Sequence, residues 1–97
     1  MAGFIQLIEY ETNDIKAVEE SLLKFREEHP GVMTFTTSRI AEDRDKPGTY
    51  ISIVEFDSYE SAMQQSNNPD LSAYVQKVGP ELMTTRSFRN LEVKSTL

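Results

Sequence analysis

The sequence contains no cysteine, no tryptophan and a single histidine, His29. Without cysteine there are no disulfides, no thiolate metal sites and no cysteine nucleophile, which suits a reducing cytoplasm. One histidine rules out a Cys–His or His–His metal set within one chain. It also limits a Ser-His-Asp arrangement to His29, which sits in a turn before Pro30. Long apolar runs are missing too. Nothing approaches the ~20 residues that a membrane-spanning helix needs. Phe4 to Ile8 is the one apolar cluster near the N-terminus, and it lacks a basic flank and a small-residue cleavage site, so no signal peptide is expected. Basic charge is scarce, with 10 Lys and Arg against 16 Asp and Glu, a net charge of −6. Such a surface repels phosphates, and no basic stripe offsets it, so nucleic acid is not an expected partner. Gly-rich phosphate loops, internal repeats and low-complexity segments are absent.

What remains is an ordinary globular composition, 38% hydrophobic and 27% charged over 97 residues. That length makes one domain, residues 1–97. A chain of this size buries roughly 60–70% of its unfolded surface, enough for one core.

The organising stretch is Thr49 to Phe56 followed at once by Asp57 to Met63. Its first half is β-branched and aromatic and reads as a strand. Its second half opens with Asp57 or Ser58 as a cap and Glu60 in the first turn, which starts a helix from about Ser58 to Ser66. Phe56 stands at the joint between layers, where a cavity would open. Upstream, Phe4 to Glu11 is a strand with Phe4, Gln6, Ile8 and Tyr10 on one face. Thr12 or Asn13 caps a helix whose apolar stripe is Ile15, Val18, Leu22 and Phe25, broadened by Leu23. His29-Pro30-Gly31 stops it. Val32 to Ala41 reads as the second strand, joined through the Pro47-Gly48 turn to the third. Asp70 caps a further helix to about Lys77, which Gly79-Pro80 ends, and Met83 to Lys94 alternates as the last strand.

This order predicts an α+β fold, a ferredoxin-like antiparallel four-stranded sheet with helices on one face. The other face keeps an alternate apolar set from each strand. A second copy packed face to face is the economical cover, so a homodimer is expected.

Three stretches carry a resemblance. Glu28-His29-Pro30-Gly31-Val32 resembles a Pro-Gly turn after the first helix. Val54 to Ala62 resembles a strand-to-helix segment with acidic residues. Ser66-Asn67-Asn68-Pro69, with Tyr74 beyond, resembles a short break between helices. Together, over about Phe4 to Val93, they resemble the antibiotic biosynthesis monooxygenase-like family of the dimeric α+β barrel superfamily. Phe56 stands where that family often has tryptophan, and Gln65 where many members have histidine, which argues against haem degradation.

The resemblance implies a small cofactor-independent monooxygenase-like enzyme acting on an aromatic or polyketide-like molecule. The alternative is a non-catalytic dimeric module that binds a small ligand. No metal and no cofactor are implied. Tyr59, Asn67, Tyr74 and Arg86 are the candidate catalytic residues: phenols to orient a substrate, an amide for an enolate oxygen, a guanidinium for a phenolate. Phe35, Phe56, Met63, Gln65 and Phe88 are the candidate ligand-binding residues. Each also has a plainer role in packing, capping or surface pairing. Tyr50, Asn68 and Arg39 are weighed in the same way.

Overall fold

The computed structural model describes residues 3–97, the side chain of Arg86 excepted. Its strands and helices run β1 (Phe4–Glu11), α1 (Ile15–Glu28), β2 (Thr37–Glu42), β3 (Thr49–Phe56), α2 (Tyr59–Ser66), α3 (Pro69–Leu82) and β4 (Thr84–Glu92). The sheet order is β2-β3-β1-β4, and every neighbouring pair is antiparallel. This is the ferredoxin-like α+β arrangement expected from the element order. The molecule measures 38 × 34 × 18 Å, the short axis being that of two layers.

Register decides which side chains share a face. Phe4 lies opposite Phe56, Gln6 opposite Val54, and Tyr10 opposite Tyr50. On this face Phe4, Gln6, Tyr10, Ser52, Val54 and Phe56 are buried. Ala62 of α2 completes the cluster with Phe4, Val54 and Phe56, so the helices cover this side. Ile5, Leu7, Ile51 and Ile53 have the opposite phase and are only half-buried. They line the side away from the core. Between Glu9 and Tyr10 the β1–β4 register shifts by one residue, so Glu9 faces Ser87 while Tyr10 faces Thr85.

Local chemistry sets the element ends, and several differ from expectation. Asp14, rather than Thr12 or Asn13, caps α1, its Oδ1 accepting from the Ala17 N–H at 3.1 Å. Thr12 instead steadies the cap from outside: its hydroxyl oxygen accepts from the Asp14 N–H and donates to the Leu82 carbonyl at 2.6 Å. Leu23 does not broaden the buried stripe, because it is 57% exposed, whereas Val18 and Phe25 are buried. Ser58 caps α2 by accepting from the Ser61 N–H. Asn68, not Asp70, caps α3 through Oδ1, which accepts from the N–H groups of Asp70 and Leu71. Pro69 opens that helix, where its missing N–H costs nothing.

Two larger corrections concern β2 and α3. The second strand begins at Thr37, five residues later than the β pattern of Val32 to Thr36 suggests. Thr34 gives its backbone N–H to the Gln65 side chain, and its hydroxyl to the Ser61 carbonyl, instead of joining the sheet. Gly79-Pro80 does not end α3, which continues to Leu82. A proline in the last turn removes only one intrahelical bond, and the Met83 N–H still closes on the Gly79 carbonyl at 2.9 Å. Gly31 and Gly48 take positive φ, +86° and +90°, which side-chain-bearing residues adopt at a cost.

Candidate functional site

Phe4 is the hub of the strand-to-helix joint. Its ring centroid is 6.4 Å from that of Phe56, and Tyr59 stands edge-on to it at 5.4 Å and 79°. Phe35 and Met63, both half-buried, pack against the same cluster. The Arg26 guanidinium lies over the outer face of this group, 5.3 Å from the Phe35 ring. Gln65, one turn beyond Ser61 on α2, is half-buried. Its Oε1 accepts from the Thr34 N–H at 2.8 Å. Ser61 and Thr34 bond reciprocally, each hydroxyl donating to the other's carbonyl, at 3.4 Å and 2.6 Å.

Five candidate residues, Phe35, Phe56, Tyr59, Met63 and Gln65, therefore gather around one aromatic core. The others do not. Tyr74 lies between α1 and α3, its hydroxyl 2.6 Å from the Ser21 hydroxyl and its ring 4.7 Å from Phe25. Asn67 ends α2, donating its backbone N–H to the Met63 carbonyl. Phe88 sits on β4 opposite Ile8 and is 53% exposed. Arg86 lies in β4, and its side chain falls outside the described residues. Arg39 pairs with Glu55 at 3.2 Å at the exposed edge.

Two grooves lie away from Phe56. One groove of about 440 Å3 lies between the end of β1, the Pro47-Gly48 turn and the segment from Pro80 to Thr84. Another of about 440 Å3 runs between α1 and α3, with Phe25, His29 and Tyr74 among its walls. The His29 ring stacks on Phe25 at 4.5 Å, and its Nδ1 is 3.7 Å from an Asp70 carboxylate oxygen. Phe56 itself is 2% exposed and packs with Phe4, Val54 and Ala62.

A buried polar pair went unread in the sequence. The Tyr10 and Ser52 hydroxyls are 3.1 Å apart, and the Tyr50 ring stacks on Tyr10 at 6.2 Å. Burial pushes the Tyr10 phenol up, the Ser52 hydrogen bond opposes this, and the Glu19 carboxylate adds to it. The Tyr50 phenol is also raised, first by desolvation and then by the nearby Glu42 charge. The signal was available: Tyr10 and Ser52 both fall on the Phe4 face, where a polar atom needs a partner. Among the described residues, every buried side-chain polar atom has one. No group of three or more acidic or histidine side chains converges there to hold a metal ion.

The architecture defines the chain as a ferredoxin-like α+β protein with the fold of antibiotic biosynthesis monooxygenase-like structures. It superimposes on SnoaB, a cofactor-independent oxygenase from Streptomyces nogalater, with a TM-score of 0.73 and 15% identity, over 100% of this chain and 98% of that one. A single-residue variant of SnoaB gives 0.75 and 14%, covering 98% and 96%. An antibiotic biosynthesis monooxygenase candidate from Bordetella bronchiseptica gives 0.72 and 11%, covering 100% of both chains. No family model matches the sequence. No curated protein matches it either.

Proposed function

We propose that the protein is a small monooxygenase-like enzyme that works without a bound cofactor on an aromatic or polyketide-like molecule. The observation that carries this reading is the end-to-end likeness to SnoaB, a cofactor-independent oxygenase by description. The aromatic cluster at the joint is chemically consistent with it. Phe35, half-buried, and Tyr59, exposed, would offer ring faces and edges to a flat substrate above the buried Phe4 and Phe56. Such chemistry draws its electrons from the substrate. An anthrone-type phenol, once deprotonated, gives electrons to O2; its methylene becomes a carbonyl, and the second oxygen atom leaves as water. Tyr59 is the catalytic candidate nearest the cluster, and its exposed ring leaves the hydroxyl available to a substrate oxygen. Incubation with a panel of anthrone-type phenols, with and without oxygen, tests the reading. Oxygen-dependent quinone formation is expected, and a silent panel counts against it.

A second reading is a ligand-binding module of the same fold without chemistry. It is favoured by the absence of tryptophan and by a single histidine, His29, which lies in the turn after α1 rather than on α2. Thermal stabilisation by a phenol without product would select it.

The functional unit proposed is a homodimer. Ile5, Leu7, Ile51 and Ile53 form a half-buried apolar set on the sheet face opposite the helices. A second copy would bury that set across a two-fold axis.

A further inference from the structure

We infer that residues 32–36 form a strap that opens to admit a flat aromatic ligand to the Phe4 cluster, with the Thr34–Gln65 pair as its latch. The inference rests on the aromatic-substrate reading for the ligand, and on geometry alone for the strap. The segment lies between α1 and β2 and belongs to neither. At one end Gly31, at φ +86°, supplies a pivot with nothing within 4 Å of where a Cβ would be. At the other end the Thr36 N–H meets the Glu55 carbonyl at 2.8 Å, the start of the β2–β3 pairing. Between them, one residue, Thr34, ties the strap to α2: its N–H donates to Gln65 Oε1, its hydroxyl donates to the Ser61 carbonyl, and its carbonyl accepts from the Ser61 hydroxyl. Phe35 hangs from the strap as a plug, half-buried against Phe4, Val54, Phe56 and Ala62.

The consequences follow from what the strap covers. Swinging it away removes one aromatic ring from the cluster and leaves an aromatic-walled space of about one ring. A flat apolar ligand can replace Phe35 there. The same movement frees the Gln65 amide on α2, so a ligand carrying a phenol or ketone finds a donor and an acceptor at the mouth. Met63, also half-buried at this spot, can shift to fit ligands of different outline. A compact resting core and an aromatic-binding fold are thereby reconciled, since the site exists in a minor, open state.

The absence of cysteine gives a clean background for the test. Ala62→Cys places a thiol under the strap, at a position 0% exposed, and Val18→Cys places a control thiol in α1, at 1% exposure. Each is labelled with a maleimide in the full chain, with and without Gln65→Leu, which keeps the side chain's bulk but removes the latch's acceptor. The expected result is at least a tenfold faster labelling at position 62 with Gln65→Leu and no change at position 18. Equal acceleration at both positions, which signals general destabilisation, overturns the strap, as does no change at either. Dithranol, an anthrone-type phenol, is then added to the Ala62→Cys protein. Protection of the thiol supports the ligand assignment. An opening strap with no protection by dithranol or its relatives overturns the aromatic-ligand part and leaves the gate standing.

Discussion

Tyr10 on β1 and Ser52 on β3 share a hydrogen bond, 3.1 Å between hydroxyl oxygens, inside the covered face of the sheet. The residues are not directly paired. Tyr10 is opposite Tyr50, and the bond runs diagonally to the next position on the same face. It ties the two central strands where both are buried.

The pair makes stability sensitive to alkali. Tyr10 holds its proton more tightly when folded than its ordinary value of 10.0. Between that value and the higher folded one, the native state binds more protons than the unfolded state, so stability falls as pH rises. Below pH about 10, the ordinary tyrosine range, the contribution is fully present. Melting temperatures from pH 8 to 11 are expected to stay level and then drop. Tyr10→Phe removes Tyr10's part of the drop while costing roughly 1–3 kcal/mol at neutral pH, because the Ser52 hydroxyl is left buried without its partner.

Truncating the joint is expected to cost more. Phe56 is 2% exposed and contacts the Phe4 ring. Phe56→Ala should destabilise the protein by about 3–5 kcal/mol, read from the urea midpoint, as large-to-small core changes do. A loss below about 1 kcal/mol would mean that the cluster repacks freely.

The start of α3 depends on one side chain. Asn68 Oδ1 serves two backbone N–H groups. Asn68→Ala is expected to lower stability by about 1 kcal/mol, and Asn68→Asp to retain most of it. Equilibrium denaturation of both variants checks the ordering.

Association is expected to depend on Ile53, half-buried on the sheet face away from the helices. In sedimentation at micromolar concentration the protein should run as a dimer, and Ile53→Lys as a folded monomer. A monomeric parent protein would remove the two-copy architecture.

Periodicity and punctuation made most of the frame legible. The alternation of Thr49 to Phe56 and the Ser58 cap place β3 and α2 within a residue or two, and Gly31 and Gly48 are turns for the reason their type suggests. Competition between partners was not legible. Val32 to Thr36 has the composition of a strand, but Thr34 finds better-placed acceptors and donors on α2. Pro80 is a helix breaker by rule, yet in the last turn there is little left to break. The gathering of Phe35, Phe56, Met63 and Gln65 at one place was within reach of the sequence. That Phe4, Phe56 and Ala62 would be almost wholly buried there was not, because such burial depends on packing in three dimensions.

The strand order leaves β2 and β4 at the margins of the sheet. On β2 every residue but Ile40 is exposed, and Arg39 and Glu42 carry charge. A rim so polar and so short is a poor template for another chain's backbone. Growth by strand addition, the route to fibres, is therefore disfavoured at that margin.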